Sequence, residues 1–415
     1  MSDLTGFPAL RRGFVLNNFY ANLPLQIKNH TGMFHTILTL SYIIPNIYLF
    51  VRIRQLFIRK EQRIYYLLIY LLLFLVYPVS NLLNEGASAL AARILSAIAD
   101  YLLPFFLYLF IFVLLLDLLL LVNVMFRMVP REKIKSRSFR NGGLATVVFC
   151  SLAVVIAGII NFNTIRTTQY QISIPGKLSG ISHLRIAFVS DFHLQEGTSL
   201  HFVEKFVSKI DSIRPDLMLF GGDIVEGDRN DENMERFERL FSSIKPRYGV
   251  YGVLGNHEYY ASQDKGSFFT KSGIEILSDS VVILGSSIIL VGRNDSHTRT
   301  RKSVEEIMRT VPDSLPVVLI DHRPTEIGQI SKTSADVVLS GHTHNGQLFP
   351  INLITRRIYE LSYRYMKKGE NHFFVSSGIR LWGPPVRTIG KSEIIVIDIS
   401  LTRDKPGTAS DPDHS

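Results

Sequence analysis

The chain has one cysteine, Cys150, in 415 residues, so no intramolecular disulfide can form and no cysteine-rich structural zinc site can be built. Cysteine usage therefore leaves the redox compartment open. Acidic residues are scarce in the first 160 positions, where 6 Asp and Glu stand against 15 Lys and Arg. Residues 161–415 hold 30 of each, so the whole net charge of +9 sits in the first 160 residues. The basic footprint of a nucleic-acid binder is thus missing from the larger part of the chain, and no nucleic-acid partner is expected. Internal repeats and low-complexity tracts are absent. The first 30 residues carry Arg11, Arg12 and Lys28 without an apolar core before a small-residue cleavage site, so no cleavable signal peptide is expected. With 47% hydrophobic and 20% charged residues, the chain is not dominated by disorder. Its length suggests two or three domains.

What is present in the first 160 residues is apolar. The runs Phe34–Val51, Ile64–Leu83, Tyr101–Phe126 and Leu144–Ile160 are each close to the roughly 17–25 residues that a helix needs to cross a bilayer core. They are apolar on every face, whereas a water-soluble helix shows a polar stripe. Pro45, Pro78 and Pro104 are tolerated in spanning helices. A bundle of four transmembrane helices is therefore expected over residues 1–160.

The loops give the orientation. Arg52, Arg54, Arg59, Lys60 and Arg63 with Glu61 give the first loop +4. Arg127, Arg131, Lys133, Lys135, Arg137 and Arg140 with Glu132 give the third +5. The second has only Arg93 beside Glu85 and Asp100. Positive loops stay in the cytoplasm, so the C-terminal domain is expected outside it, against a competing basic N-terminal tail. Asp117 lies within the third run. It is read either as a functional intramembrane carboxylate or as one satisfied by Asn123 or a hydroxyl.

Residues 161–180 read as an extended connector, 181–399 as an α/β domain and 400–415 as a disordered tail. In the α/β domain, apolar runs deliver polar residues at their carboxyl ends. LRIAFVS precedes Asp191 and His193; DLMLFG precedes Asp223; VYGVLG precedes Asn256, His257 and Glu258; PVVLI precedes Asp321 and His322; DVVLS precedes His342 and His344. Ser199–Ile213 reads as a helix between the first two strands. Ligands bind at the carboxyl edge of such sheets. The set Asp191, His193, Asp223, Asn256, His322, His342 and His344 contains only oxygen and imidazole donors, which suit Mn, Fe, Zn or Co. Seven ligands exceed the needs of one ion and suit two divalent ions about 4 Å apart, bridged by a carboxylate, best supplied by Asp223. Gly221, Gly222, Gly255 and Gly341 allow sharp turns beside the ions.

The ordered segments SDFH, GGDIVEGD, GNHE, DHRP and GHTHNGQ resemble the five motifs of the calcineurin-like metallophosphoesterase family. The resemblance covers residues 181–399 and is closest to a membrane-anchored bacterial branch, which SSGIRLWGPPVR also resembles. It implies two packed β-sheets flanked by helices. It assigns Asp191, His193 and His344 to one ion, Asn256, His322 and His342 to the other, and Asp223 to both. It makes His257 a catalytic group beside the scissile phosphate and Glu258 the carboxylate that orients it. Two positions depart from the pattern: Leu194-Gln195-Glu196 delays the glycine to Gly197, and Asn345 stands where glycine is common.

Several other residues carry two readings. Arg387 binds phosphate or makes a structural ion pair. His297 contacts substrate or sits on a solvated loop. Trp382 faces lipid or packs. Tyr363, Arg364, Tyr365, Lys367 and Lys368 form a headgroup patch or a solvated face, and His372 reads as structural. The combined expectation is a bacterial inner-membrane phosphoesterase with an extracytoplasmic catalytic domain. Its substrate is a phosphorylated small molecule or lipid, and its oligomeric state is left open. Within the resembled family some members cleave UDP-diacylglucosamine, which would require a cytoplasmic domain. A non-enzymatic membrane receptor or transporter is the alternative class.

Overall fold

The computed structural model describes residues 25–83, 89–175, 177, 179–195, 197–226, 233–260 and 266–402. The chain divides into two compact units, Met1–Leu152 and Ala153–Ser415. Arg11, Arg12, Glu85 and the expected tail beyond residue 402 lie outside the described residues.

The first unit is helical. It contains α1 (Leu25–Leu56), α2 (Arg63–Leu83), α3 (Ala89–Phe126), the short α4 (Arg131–Lys135) and the first half of α5 (Arg137–Asn163). Leu49, Ile53, Phe57, Tyr70, Phe106, Leu109, Val113 and Val147 pack together at its centre. The outer faces stay apolar: Leu72, Leu82 and Val124 are all well exposed. An apolar exterior around an apolar core is the arrangement a bilayer solvates. Among the described residues three helices, Lys60–Leu83, Leu90–Phe126 and Arg137–Asn163, are long and apolar enough to cross a membrane. Four were expected, and the first run, Phe34–Val51, lies within α1, outside these three.

Two expectations for this unit are corrected. Arg93 and Asp100 are not in a loop; both belong to α3, which starts before the apolar run Tyr101–Phe126 because the preceding Ala-Leu-rich turns also favour helix. At 38 residues α3 is about 57 Å long, well beyond a bilayer core of about 30 Å. Asp117 is satisfied by a hydroxyl, that of Tyr48, as one of the two expected partners, but the other partner is Arg52, with Nε 2.6 Å from Oδ2, and not Asn123. Asn123 instead bonds the backbone of Val129. A carboxylate in an apolar bundle takes the nearest cation, so Arg52 leaves the loop charge and joins the helix interior.

The second unit holds two six-stranded mixed sheets. The first has the order β1 (Ile165–Pro175), β12 (Ser392–Thr402), β2 (His183–Val189), β3 (Leu217–Phe220), β4 (Val250–Gly252), β5 (Glu275–Ile276). The second has the order β10 (Arg364–Lys368), β11 (Asn371–Val375), β9 (Val337–Ser340), β8 (Val317–Ile320), β7 (Ile288–Gly292), β6 (Ser280–Leu284). The expected connector is therefore an edge strand of the first sheet, parallel to β12, with Ile165 opposite Ser392. Its alternating burial matches one face packed and one open. Ser400 and Leu401, expected in the tail, belong to β12.

Strand periodicity sorts the side chains into layers. Ile186, Phe188, Leu217 and Leu219 meet Leu290, Val318, Ile320 and Leu339 between the sheets. Ala187, Val189, Met218 and Phe220 face the other way, onto Phe202 and Phe206 of α6 (Leu200–Ile213) and Phe237 and Phe241 of α7 (Met234–Ser242). Burial on both faces explains why these strands read as unbroken apolar runs.

Candidate functional site

The site forms where β2 and β3 end but their hydrogen bonding continues. Asp191 N donates to Gly222 O, His193 N to Asp223 O, Leu194 N to Ile224 O, and Glu226 N back to Leu194 O, all within 2.8–3.0 Å. The two loops thus run side by side and carry their polar side chains to one place. Five candidate ligands sit at positive φ: Asp191 (56°), His193 (48°), Asp223 (53°), His342 (69°) and His344 (49°). A left-handed conformation costs a non-glycine residue about 1–3 kcal/mol and persists only where the surroundings enforce it. Asn345, the departure noted above, has φ 50°. Asparagine tolerates that region better than most residues, so it serves where glycine is common.

The ligand atoms gather in groups. Asp191, His193 and His344 each bring one donor atom to within 4.8 Å of the others, and so do Asp223, His322 and His342. His193 Nε2 and His344 Nε2 are 3.4 Å apart, and His344 Nε2 is 3.6 Å from Asp191 Oδ1. His322 Nδ1 bonds Gly221 O at 2.7 Å, which leaves Nε2, 3.1 Å from Asp223 Oδ2, as its ligand atom. Asn256 Oδ1 is buried and makes no hydrogen bond. Asn256 opens the short helix α8 (Asn256–Tyr260), and the next residue's amide, His257 N, donates to Asp223 Oδ1 at 2.8 Å. Imidazole nitrogens facing one another, two carboxylates and an orphaned buried carbonyl form a donor set that fits divalent cations.

Electrostatics divide the set. Burial would raise the Asp223 pKa, yet His322 and His193 hold it well below the usual carboxylate range. Burial also would lower His322, but the Asp223 carboxylate outweighs it and lifts the ring to about 10. Burial and His322 push His342 down to about 3, and burial with His193 pushes His344 well below the usual imidazole range. Neutral His342 and His344 offer the lone pairs a cation needs.

A third group was not foreseen. Glu226 Oε1 lies 2.5 Å from His193 Nδ1 and 2.6 Å from His257 Nδ1. Burial opposes its charge, but bonds from the two rings hold its carboxyl at about 2. Glu226 therefore joins a candidate ligand to the candidate catalytic histidine. The expectation that Glu258 orients His257 is corrected accordingly. Both Glu258 oxygens accept backbone amides, from Asp223, Ile224, Val225 and Gly255. Glu258 staples two ligand loops together, and Glu226 holds the ring.

The residues with two readings now separate. Arg387 is fully buried and donates to the carbonyls of Ser377, Gly378 and Arg380. It is structural, though through carbonyls rather than an ion pair. Asp321 is held through Oδ2 by Arg293 and Arg301 at 2.7 Å each. His297 bonds Asp295 and Arg323 at 2.8 Å. His372 bonds the Tyr365 hydroxyl at 2.9 Å and is structural. Lys367 and Lys368 pair with Glu370 and Glu360, which weakens a headgroup patch there. Trp382 is 54% exposed with its ring 5.8 Å from that of His257, so it forms part of the site's open wall.

The glycines set a sharp steric condition. A Cβ on Gly255 would stand 2.2 Å from Asp223 Oδ1 and 2.6 Å from Asp223 N. Neither a ligand nor a backbone atom can give way by that much. Gly255→Ala is expected to destabilise the fold by about 1–3 kcal/mol and to displace the Asp223 carboxylate. Thermal unfolding together with metal content after dialysis checks this; unchanged metal retention would show that Asp223 does not bridge.

Residues 184–346 match the family model described as calcineurin-like phosphoesterase. A Helicobacter pylori protein named an uncharacterized metallophosphoesterase is 34% identical over 218 residues, 51% of this chain and 58% of that protein. An Aquifex aeolicus protein of the same name is 28% identical over 259 residues, 60% of this chain and 97% of that protein. A Danio rerio protein named a transmembrane protein with metallophosphoesterase domain is 27% identical over 281 residues, 63% of each chain. The chain thus spans less than two thirds of the Helicobacter pylori and Danio rerio relatives.

Proposed function

The chain belongs, through residues 184–346, to the calcineurin-like phosphoesterase family, and from that premise we propose that it is a membrane-anchored, metal-dependent hydrolase of phosphate esters. The observation that carries the reading is the pair of donor groups, Asp191–His193–His344 and Asp223–His322–His342. Two divalent ions are proposed there, with Asn256 completing the second group and Asp223 shared. Such ions supply Lewis-acid polarisation of the phosphoryl oxygens and ease deprotonation of the attacking water. The protein's own residues do the rest. His257, held at Nδ1 by Glu226, stands ready to protonate the leaving oxygen or to stabilise charge on the phosphoryl group. Trp382 walls the opening, where the ester's organic part would lie.

The proposed substrate is an envelope phosphate ester or pyrophosphate carried on a lipid. It rests on the apolar helices that precede the domain and on the positive loops flanking them. With α1 counted as a fourth span, the domain falls outside the cytoplasm of a bacterial inner membrane. A topology reporter fused after Ser415 tests the orientation. A cytoplasmic signal would reverse it and favour a nucleotide-linked lipid. The catalytic proposal is tested with purified protein, Mn²⁺ and aryl phosphomono- and diesters. Wild-type protein is expected to turn over at least one class, and Asp223→Ala to fall to the background rate. Equal inertness of both proteins at full metal loading would end the enzyme reading.

A further inference from the structure

The strongest feature outside the donor groups is a surface helix, α12 (Ile351–Ile358), which follows α9 (Gly266–Ser272), α10 (Val304–Met308) and α11 (Ile327–Ile330) in the chain. Its sequence, INLITRRI, places Ile351, Ile354 and Ile358 on one stripe at i, i+3 and i+7. A stripe of this kind normally faces a core. Here it faces out: Ile354 is 60% and Ile358 67% exposed, and only Asn352 of the helix is buried. Phe349 and Leu353, beside the stripe, are also exposed. Arg356 and Arg357 are the only charged residues of the helix, and both are basic.

Two sets of contacts give this surface an address. The first leads to the end of α5, the apolar helix Arg137–Asn163. Gly158 O accepts from Arg387 N at 3.0 Å, and Asn161 donates to Arg387 O at 2.9 Å and Gly390 O at 3.2 Å. Thr388 in turn donates its amide to Gln347 O at 3.0 Å and accepts Phe349 N at 2.9 Å. The exit of α5, the 387–390 loop and the start of α12 are therefore neighbours in one bonded run. The second set leads to the donor groups. The turn that carries His344 ends at Gly346, whose Cβ position is only 2.5 Å from Asn352 N. The ligand turn rests directly on the helix.

We propose that α12 is an interfacial helix, seated by its Ile351–Ile354–Ile358 stripe in the bilayer surface from which α5 emerges, with Arg356 and Arg357 toward anionic headgroups. The proposal rests on α5 being a membrane span. It deepens the functional reading, because it holds the His342–His344 side of the site at headgroup level, where a lipid-borne phosphate would enter. Continuity with α5 singles out the bilayer as the occupant, and the paired arginines fit anionic lipid.

Depth measurements in proteoliposomes test it on the full chain. Cys150 is the chain's single cysteine, so Cys150→Ser gives a background for Ile354→Cys, Ile358→Cys and, as a control, the exposed Lys245→Cys before β4, three strands away from β12 in the first sheet. Spin labels at 354 and 358 are expected to show several-fold higher oxygen relative to nickel-chelate accessibility than the label at 245, in vesicles containing phosphatidylglycerol. Water-like accessibility at both positions would overturn the proposal, and so would spin–spin broadening there, which would mean that a second copy covers the stripe. Should one label disturb folding, the other still decides. A paired variant, Ile354→Glu with Ile358→Glu, is expected to lose several-fold in turnover of a vesicle-borne phosphate ester and nothing on a soluble aryl diester. Equal losses on both would overturn the link to substrate. If the unmodified protein turned over neither substrate, the catalytic reading would fall while the depth result still stood on its own.

Discussion

Glu258→Ala is expected to unfold the site before it affects any chemical step. Four backbone amides, from residues on two different loops, end on this one buried carboxylate. Removing it leaves those donors in a space closed to solvent, and each unsatisfied donor costs about 1–3 kcal/mol. Partial relaxation will recover some of that, so a loss of about 3 kcal/mol is a conservative expectation. For a unit of this size the apparent melting temperature should fall by roughly 6–12 °C. Metal retention should fall with it, because the amides of Asp223 and Gly255 are among the four. Glu258→Gln keeps one acceptor oxygen and should fall between the two. A normal melting curve with a depressed kcat would return Glu258 to a direct role on His257.

Glu226→Gln should do the reverse. The carboxylate bonds His193 and His257 at their Nδ1 atoms, so its charge fixes two rings at once. An amide of the same shape preserves packing but no longer stabilises a charged imidazole. The melting temperature should hardly move. Metal affinity should fall about 10–100-fold, the usual cost of losing the partner behind a histidine ligand. At saturating metal a further loss of about 100-fold in kcat should remain, because His257 has lost the carboxylate that holds its ring in place. KM should change little. Full recovery of kcat on metal addition would confine Glu226 to the His193 side.

The contrast between these two glutamates shows what was legible in the sequence. The candidate ligands announced themselves because each follows an apolar strand, and periodicity alone places strand ends. Glu226 does not sit at a strand end. It lies three residues past Asp223 and reaches the site because its loop is laced to the Asp191–Leu194 segment by backbone bonds. Nothing in residue type or spacing reveals that lacing. Glu258, next to His257 in sequence, invited a local role, but the first turn of α8 sends its carboxylate to amides on another loop. The left-handed geometry of the ligands was equally hidden, since only the assembled sheets enforce it.

The same limit applies to the edges of the fold. The alternation in IRTTQYQISIP marks a strand, but no local pattern says that its partner is β12. In the helical unit, Arg52 counted toward a loop charge until the fold paired it with Asp117. The stripe of α12, by contrast, is present as i, i+3 and i+7 spacing, but so short an amphipathic run carries no sign of whether it faces a core or the outside.

The place of β12 bears on how the chain is made. It lies between β1 and β2, pairing parallel with one and antiparallel with the other. Those two strands are the first of the unit to leave the ribosome, and the strand that joins them is the last among the described residues. Until Ser392–Thr402 has been synthesised, β1 has no neighbour and β2 has one bare edge. The apolar helices are all complete by then. Completion of the apolar helices and closure of the sheet are thus separated in time, with β12 acting as the latch.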